Sequence, residues 1–229
     1  MECQKRPSKS GETRGFHLSS LRQSYYNLFS KVYDRIIELH SHDLQGRLRG
    51  ALADRTGLKT GDVAVDLCTG TGSVPPFLAE KVGSDGLVIG LDFSSGMLQK
   101  AAKKIRERGK KNIVLIQAEA QHLPFKDRTI SAVTCSHAFY ELKGDVREKT
   151  VMEIKRVCRT GGRFCMMEHE VPRKKFIKFL FYVRMLVSGN LGSKALLRQE
   201  ASFFKSHFSE VKKESLPGGN TKVISGVIR

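Results

Sequence analysis

The spacing of apolar side chains predicts helices at the start of the chain and an alternation of strands and helices after it. Apolar residues recur at helical spacing over about 20–39, and a second helical stretch, 43–56, ends before Gly57. From residue 62 onward, short apolar runs typical of buried strands alternate with helical segments. The predicted strands are 62–68, 87–92, 113–118, 130–136 and 163–168, and the helices between them include 95–108 and 146–158. This order predicts a parallel sheet with helices on both faces.

The alternation stops near Pro172. An apolar and basic run, 176–187, is followed by a predicted helix at 196–208. Two further strands, 211–216 and 222–228, are joined by a Pro-Gly-Gly-Asn turn, and we expect both at the edge of the sheet. We therefore predict a flexible basic arm at 1–16 and a single domain at 17–229. Its expected parts are N-terminal helices at 17–60, a cofactor-binding core at 61–168, a lid or substrate segment at 169–210 and terminal strands at 211–229.

Composition narrows the class of protein. With 229 residues, 40% of them hydrophobic, the chain has a globular composition, and 40 Lys and Arg against 23 Asp and Glu give a net charge of +17, which favours anionic partners. Five cysteines without a CxxC pair indicate neither a disulfide framework nor a zinc site, and no metal is expected. The N-terminus lacks an apolar signal segment, and the run 176–187 is shorter than the roughly 20 residues of a membrane span. A cytoplasmic location is expected.

A glycine loop after the first strand is the sharpest chemical feature. The run Asp66-Leu-Cys-Thr-Gly-Thr-Gly72 lies between a predicted strand and a predicted helix, and ligands of such sheets bind at the carboxyl ends of the strands. Asp92 ends the next strand about 20 residues later, a spacing that suits a carboxylate binding ribose hydroxyls. Both features indicate a cofactor that contains a nucleoside.

Two residues separate the possible cofactors. The dinucleotide fingerprint requires Gly or Ala at its third conserved position, where this chain has Pro75. Asp66 would repel a pyrophosphate, whereas a sulfonium cofactor with an amino group is positively charged there. S-adenosylmethionine therefore fits the loop better than NAD, and a nicotinamide oxidoreductase is the less favoured alternative.

These residues carry a resemblance to a known family. The run 66–101, DLCTGTGSVPPFLAEKVGSDGLVIGLDFSSGMLQKA, resembles class I S-adenosylmethionine-dependent methyltransferases of the methyltransferase-type-11 group. It is most similar to the ubiquinone/menaquinone-biosynthesis C-methyltransferases, and the likeness continues through 117–136, 157–164 and the helix at 33–49. The resemblance implies an α/β Rossmann-like fold. We expect a mostly parallel seven-stranded sheet, helices on both faces, an N-terminal helical extension and a C-terminal antiparallel edge strand.

The resemblance also implies a pocket for S-adenosylmethionine, which leaves as S-adenosylhomocysteine. The expected contacts are Asp66, Thr69, Gly70, Thr71 and Gly72 for the aminoacyl end, Asp92 for the ribose, Phe93 and Met97 for the faces of the adenine, Glu119 and Ala120 for its polar edge, Ser136 for the methionine moiety and Tyr33 as a cover.

The chain departs from the quinone enzymes on the acceptor side. His137-Ala-Phe-Tyr-Glu-Leu stands where those enzymes carry a sequence like FGLRN, and Glu168-His169 replaces a Glu-Thr pair. Because these residues follow the ends of two strands, we expect them near the transferred methyl group. The catalytic candidates are His137, Tyr140 and His169, and His137 could act as a base for a phenol, a thiol or an enol carbon.

The leading hypothesis is a methyltransferase for a small, lipophilic or quinone-like acceptor. An RNA methyltransferase and a non-catalytic cofactor-binding protein of the same fold are the alternatives, although no RNA-binding motif is present. The segment 173–187 places basic beside large apolar residues and suits an anionic membrane surface, or a lid helix packed on the domain. The acceptor atom and the oligomeric state stay open.

Overall fold

A computed structural model describes residues 46–142, 144–170, 191–217 and 219–229, with side chains described from residue 199 onward in the helix that begins at Leu191. The helices are α1 (Arg47–Asp54), α2 (Pro75–Val82), α3 (Ser95–Glu107), α4 (Asp145–Val157) and α5 (Leu191–His207), with a short 3₁₀ turn, η1, at Phe139–Glu141. The strands are β1 (Val63–Leu67), β2 (Leu87–Asp92), β3 (Ile113–Gln117), β4 (Ile130–Ser136), β5 (Cys158–His169), β6 (Ser209–Ser215) and β7 (Thr221–Val227).

The seven strands form one sheet in the order β3-β2-β1-β4-β5-β7-β6. The pairs from β3 to β5 are parallel, and β7 is antiparallel to both of its neighbours. The predicted mostly parallel sheet is confirmed, and β2 and β4 have the predicted bounds. The carboxyl ends of the parallel strands lie at the same end of the sheet, and the candidate site residues predicted from the sequence lie there.

The expectation that both terminal strands lie at the edge is wrong for β7. This strand lies between β5 and β6, and every residue from Thr221 to Gly226 is buried. Of the two terminal strands, only β6, with its sequence SEVKKES and mostly exposed side chains, lies at an edge of the sheet; β3 is the opposite edge strand. The sequence of β7, TKVISGV, contains a lysine, a threonine and a serine and so does not indicate a buried strand.

The helices begin and end close to their predicted positions. Ser94 caps α3, since its hydroxyl accepts a hydrogen bond from the backbone N–H of Met97 at 3.3 Å. The helix predicted at 196–208 begins five residues earlier, at Leu191. The arm 1–16, the helix at 20–39 and the segment 173–187 lie outside the described residues.

Phenylalanines fix α5 and η1 to the sheet. Measured between centroids, the ring of Phe164 on β5 lies 5.5 Å from Phe139 of η1, 6.1 Å from Phe204 of α5 and 5.4 Å from Phe208, which directly follows α5. These four side chains are almost fully buried, and together with Ile154 and Ile224 they form the core on this face. Helices α1 and α2 cover the opposite face. The packing holds the segment after β4 rigidly beside the carboxyl end of β5.

Candidate cofactor and acceptor site

The glycine loop is held tightly by helix α3. Gly72 has a φ of +72°, and a Cβ there would lie 2.9 Å from the Cβ of Ala101, so both its backbone conformation and its surroundings require glycine. The ammonium group of Lys104 donates to the hydroxyls of Thr71 at 3.1 Å and Ser73 at 3.2 Å. These contacts fix the shape of the loop from its outer side.

Asp66 lies at the inner side of the same loop. Its side chain is buried and accepts hydrogen bonds from the hydroxyls of Thr69 at 2.7 Å and Thr134 at 2.6 Å, the latter on the neighbouring strand β4. Burial raises the pKa of Asp66 from 3.8 to about 7, and the charge of Asp92 adds to the rise, whereas the two hydroxyls and Arg49 oppose it. A cation placed beside this carboxyl group would stabilise its ionised form.

Asp92 connects the glycine loop to the next strand. One carboxylate oxygen accepts from the backbone N–H of Gly70 at 2.8 Å, and the other accepts from that of Ser94 at 2.9 Å. The residue is buried, and burial raises its pKa despite these bonds. Asp92 therefore has a structural role that its sequence position did not reveal, in addition to the predicted ribose contact, because a carboxylate can accept about four hydrogen bonds.

The structure places the other predicted cofactor residues as follows. Thr69, Thr71, Met97 and Ala120 are buried, Phe93 and Ser136 are half-buried, Glu119 is exposed and bonded to the amide of Gln121 at 2.8 Å, and Tyr33 lies outside the described residues. The backbone carbonyl of Phe93 accepts from the Gln117 amide at 3.0 Å, which joins the turn after β2 to β3. Their contacts with a cofactor stay predictions.

On the acceptor side, His137 and His169 come together as expected. Their ring centroids lie 4.4 Å apart, and the backbone N–H of His137 donates to the carbonyl of Met167 at 2.8 Å. Nδ1 of His137 is buried, and none of the described residues is its hydrogen-bond partner. Burial, His169 and Arg49 lower the pKa of His137 to about 3. The imidazole is therefore neutral at physiological pH.

Tyr140 makes its side-chain contacts on the other face of the sheet. Its hydroxyl donates to Oε1 of Glu200 on α5, and Nζ of Lys222 lies 5.1 Å from its ring centroid. Lys222, on β7, lies 2.6 Å from the same oxygen of Glu200 and is 1% exposed. Sequence reasoning missed Glu200 and Lys222. A lysine inside an apolar strand was the available signal, because an unpaired charge is rarely buried there.

Glu168 directly precedes His169 in β5 and contacts Tyr140. It is buried, and it accepts from the backbone N–H of Tyr140 at 3.4 Å. Burial and the charge of Glu141 raise its pKa to about 8, while Lys222 opposes the rise. Glu168 is mostly protonated at neutral pH and holds η1 against the end of β5.

The residues around the loop fit S-adenosylmethionine. Two buried carboxyl groups, Asp66 and Asp92, flank the loop, and burial raises the pKa of both. The sulfonium and the ammonium group of this cofactor supply positive charge, whereas a pyrophosphate would be repelled. Among the described residues, no cluster of three or more His, Cys, Asp or Glu could hold a metal ion, and no helix is long and apolar enough to cross a bilayer.

The sheet order and the acidic glycine loop define a Rossmann-like methyltransferase fold. A solved SAM dependent methyltransferase from Aquifex aeolicus aligns with a TM-score of 0.61 and 21% identity over 84% of this chain and 97% of its own. Phosphoethanolamine N-methyltransferase 2 of Haemonchus contortus, solved with S-adenosyl-L-methionine, aligns with a TM-score of 0.60 and 16% identity over 79% of this chain and 52% of its own. At these identities, the alignments show the fold.

The family is shown by sequence. The model of the ubiE/COQ5 methyltransferase family matches residues 18–196, and the chain belongs to this family. Demethylmenaquinone methyltransferase of Lactococcus lactis is 39% identical over 163 residues, which are 69% of this chain and 62% of that protein. The chloroplastic 2-phytyl-1,4-beta-naphthoquinone methyltransferase of Arabidopsis thaliana is 33% identical over 166 residues, 71% of this chain and 62% of that protein. The matches thus span less than two thirds of these relatives.

Proposed function

We propose that this protein transfers the methyl group of S-adenosylmethionine to a ring carbon of a small, lipophilic acceptor of the quinone type in its hydroquinone form. The observation that carries the proposal is the family match over residues 18–196, which includes the whole glycine loop and the acceptor-side histidines. The two relatives described above are named as methyltransferases of demethylmenaquinone and of 2-phytyl-1,4-beta-naphthoquinone. The hydroquinone form is favoured because an electron-rich ring carbon is the nucleophile that such a methylation requires.

When bound, the cofactor would supply an activated methyl group with its sulfur as the leaving group, and the methylated ring carbon would lose its proton to solvent. The protein would bind and orient the cofactor and the acceptor and exclude bulk water from the space between them. Asp66 would pair with the ammonium group of the cofactor, and Asp92 would accept hydrogen bonds from the ribose hydroxyls while it holds Gly70 in place. Both acids then serve the same purpose, since each fixes one end of the cofactor against a rigid loop. Phe93 and Met97 would enclose the adenine, with Glu119 and Ala120 at its edge.

His137 would contact the acceptor beside the transferred methyl group. The pKa of about 3 keeps the imidazole unprotonated at neutral pH. We therefore assign His137 the role of accepting a hydrogen bond from a hydroxyl group of the methyl acceptor, and not that of carrying a proton. His169, 4.4 Å away between ring centroids, would orient it. Tyr140 would contact a second polar group of the acceptor.

Two experiments test the proposal. Calorimetric titration with S-adenosylhomocysteine, and with NADH in parallel, should give micromolar binding of the first and no response to the second. Incubation with S-adenosylmethionine and dithionite-reduced 2-prenyl-1,4-naphthoquinone should then add one methyl group to the naphthalene ring, as measured by mass spectrometry. Cofactor binding without methylation of this or related hydroquinones would favour another acceptor, and absence of cofactor binding would refute the proposal.

An RNA methyltransferase is the second candidate, favoured only by the net charge of +17. This function predicts that the protein retains RNA, that the retention weakens steeply with salt, and that total RNA becomes methylated.

The same charge supports the proposal that the segment 173–187 contacts an anionic membrane, where a lipophilic acceptor would reside. Cosedimentation with phosphatidylglycerol vesicles, but not with phosphatidylcholine vesicles, is the expected result.

A further inference from the structure

Tyr140, Glu200, Lys222 and Lys213 form a cluster in which only Tyr140 has a role in the proposed methyl transfer. Glu200 and Lys222 are 4% and 1% exposed, and their charged atoms lie 2.6 Å apart. Buried ion pairs add little to stability, because desolvation offsets most of their attraction and apolar replacements are often equally stable. Such a pair beside a proposed active site therefore points to a functional role.

The cluster lies at the carboxyl ends of the strands. Lys222 is the register partner of Glu168, the penultimate residue of β5, and Tyr140 belongs to η1, which follows the end of β4. Glu200 reaches them from α5, and the stacked phenylalanines hold this helix against the sheet. The four side chains thus come from four different elements and meet where acceptors of this fold bind.

The contacts fix the direction of the Tyr140 hydrogen bond. Oε1 of Glu200 faces Lys222, and Oε2 accepts from Lys213 at 3.0 Å. A carboxylate between two ammonium groups only accepts hydrogen bonds, and a lysine only donates them. The phenol proton of Tyr140 therefore points to Glu200, so every further hydrogen bond to the phenol oxygen must be one that it accepts.

We propose that Glu200 and Lys222 are positioning residues that hold the phenol of Tyr140 as a hydrogen-bond acceptor, so that this side selects a methyl acceptor carrying a hydroxyl over one carrying a carbonyl. This inference rests on the proposed function. A hydroxyl donates to the phenol oxygen, whereas the carbonyl of an oxidised quinone places two acceptors against each other. A site built around one hydrogen bond discriminates strongly against an analogue that lacks it.

The test compares binding of 2-prenyl-1,4-naphthoquinone and of its dithionite-reduced form to the protein saturated with S-adenosylhomocysteine under anaerobic conditions. The wild type should prefer the hydroquinone by at least about tenfold. Tyr140→Phe, which removes the hydroxyl, and Glu200→Gln should reduce this preference to about threefold or less. In Glu200→Gln the side-chain amide can donate to the phenol oxygen, so that the phenol O–H is free to turn toward the ligand and donate to a carbonyl. Glu200→Asp should retain part of the preference, because it keeps a carboxylate that only accepts hydrogen bonds.

Glu148→Gln is the matched control. Glu148 on α4 lies 3.3 Å from Nε2 of His207, so it also joins α5 to the domain, but it takes no part in the cluster. This variant should keep the wild-type preference. If folded Tyr140→Phe and Glu200→Gln keep it too while only their melting temperatures fall, the cluster is structural and the inference is wrong. If the wild type methylates neither this hydroquinone nor related ones, the proposed function fails first, and the inference fails with it.

Discussion

The affinity for the cofactor should depend on pH through Asp66. Its pKa of about 7 in the unliganded protein means that the carboxyl group is largely neutral below neutral pH. The ammonium group of S-adenosylhomocysteine is charged over this range and attracts only the ionised form. At pH 6, about one tenth of the protein carries an ionised Asp66, so the affinity should be about tenfold lower than at pH 8, and it should fall by about one decade per further pH unit.

The raised pKa of Asp66 also makes the free energy of unfolding depend on pH. In the unfolded chain the carboxyl group has its ordinary pKa of 3.8, so between about pH 4 and 7 the unliganded native state binds the additional proton. The contribution of Asp66 to stability is therefore most favourable at low pH and is lost as the pH rises toward 7. Binding of a cationic ligand reverses this balance, because it lowers the pKa of Asp66 in the complex.

Calorimetry of S-adenosylhomocysteine binding between pH 5.5 and 8.5 measures this dependence. Titrations at pH 6.5 in two buffers of different ionisation enthalpy should also show release of a substantial fraction of one proton. Asp66→Asn should bind more weakly at pH 8 and show a nearly flat profile from pH 6.5 to 8. A constant wild-type affinity over this range, or an equally steep profile in Asp66→Asn, would refute the pairing of Asp66 with the cofactor.

Three further substitutions test the site. Asp92→Ala should weaken cofactor binding by more than about tenfold, since the ribose contact and the anchor of Gly70 are lost together, and an unchanged affinity would remove the ribose assignment. Gly72→Ala should destabilise the protein by about 1–3 kcal/mol more than Gly61→Ala, because both have positive φ but only Gly72 would clash with Ala101; equal melting temperatures would contradict this. His137→Ala should reduce turnover while the affinity for S-adenosylhomocysteine stays within about threefold, and wild-type turnover would exclude a catalytic role.

The cofactor side could be located from the sequence because its residues are close in the chain or at equivalent strand ends. Asp66 and Asp92 each lie at or one residue before the end of a parallel strand, and neighbouring parallel strands place those ends together. The hydrogen bond from Gly70 to Asp92 could not be predicted, because it depends on how the loop folds back over β2. That bond makes one acid both a structural anchor and a predicted ligand contact.

The Glu200–Lys222 pair shows where sequence reasoning ends. The pair requires that β7 insert between β5 and β6, so that Lys222 lies opposite Glu168 and beneath α5. No local sequence pattern specifies this order, because two strands joined by a turn have the same pattern whichever of them lies at the edge of the sheet. The burial of Lys222 is the consequence of long-range pairing and not of its neighbours in sequence.

The pleat of β5 explains why adjacent residues serve different parts of the acceptor site. Phe164 and Met166 face the core beneath α5, whereas Cys165 and Met167 face the core beneath α1 and α2. By the same alternation, Glu168 meets Tyr140 and Lys222 on one face, and His169 meets His137 on the other. A shift of one residue in the pairing of β5 would exchange the two side chains and bury His169 against Lys222. The pairing register of β5 therefore determines both halves of the proposed acceptor site at once.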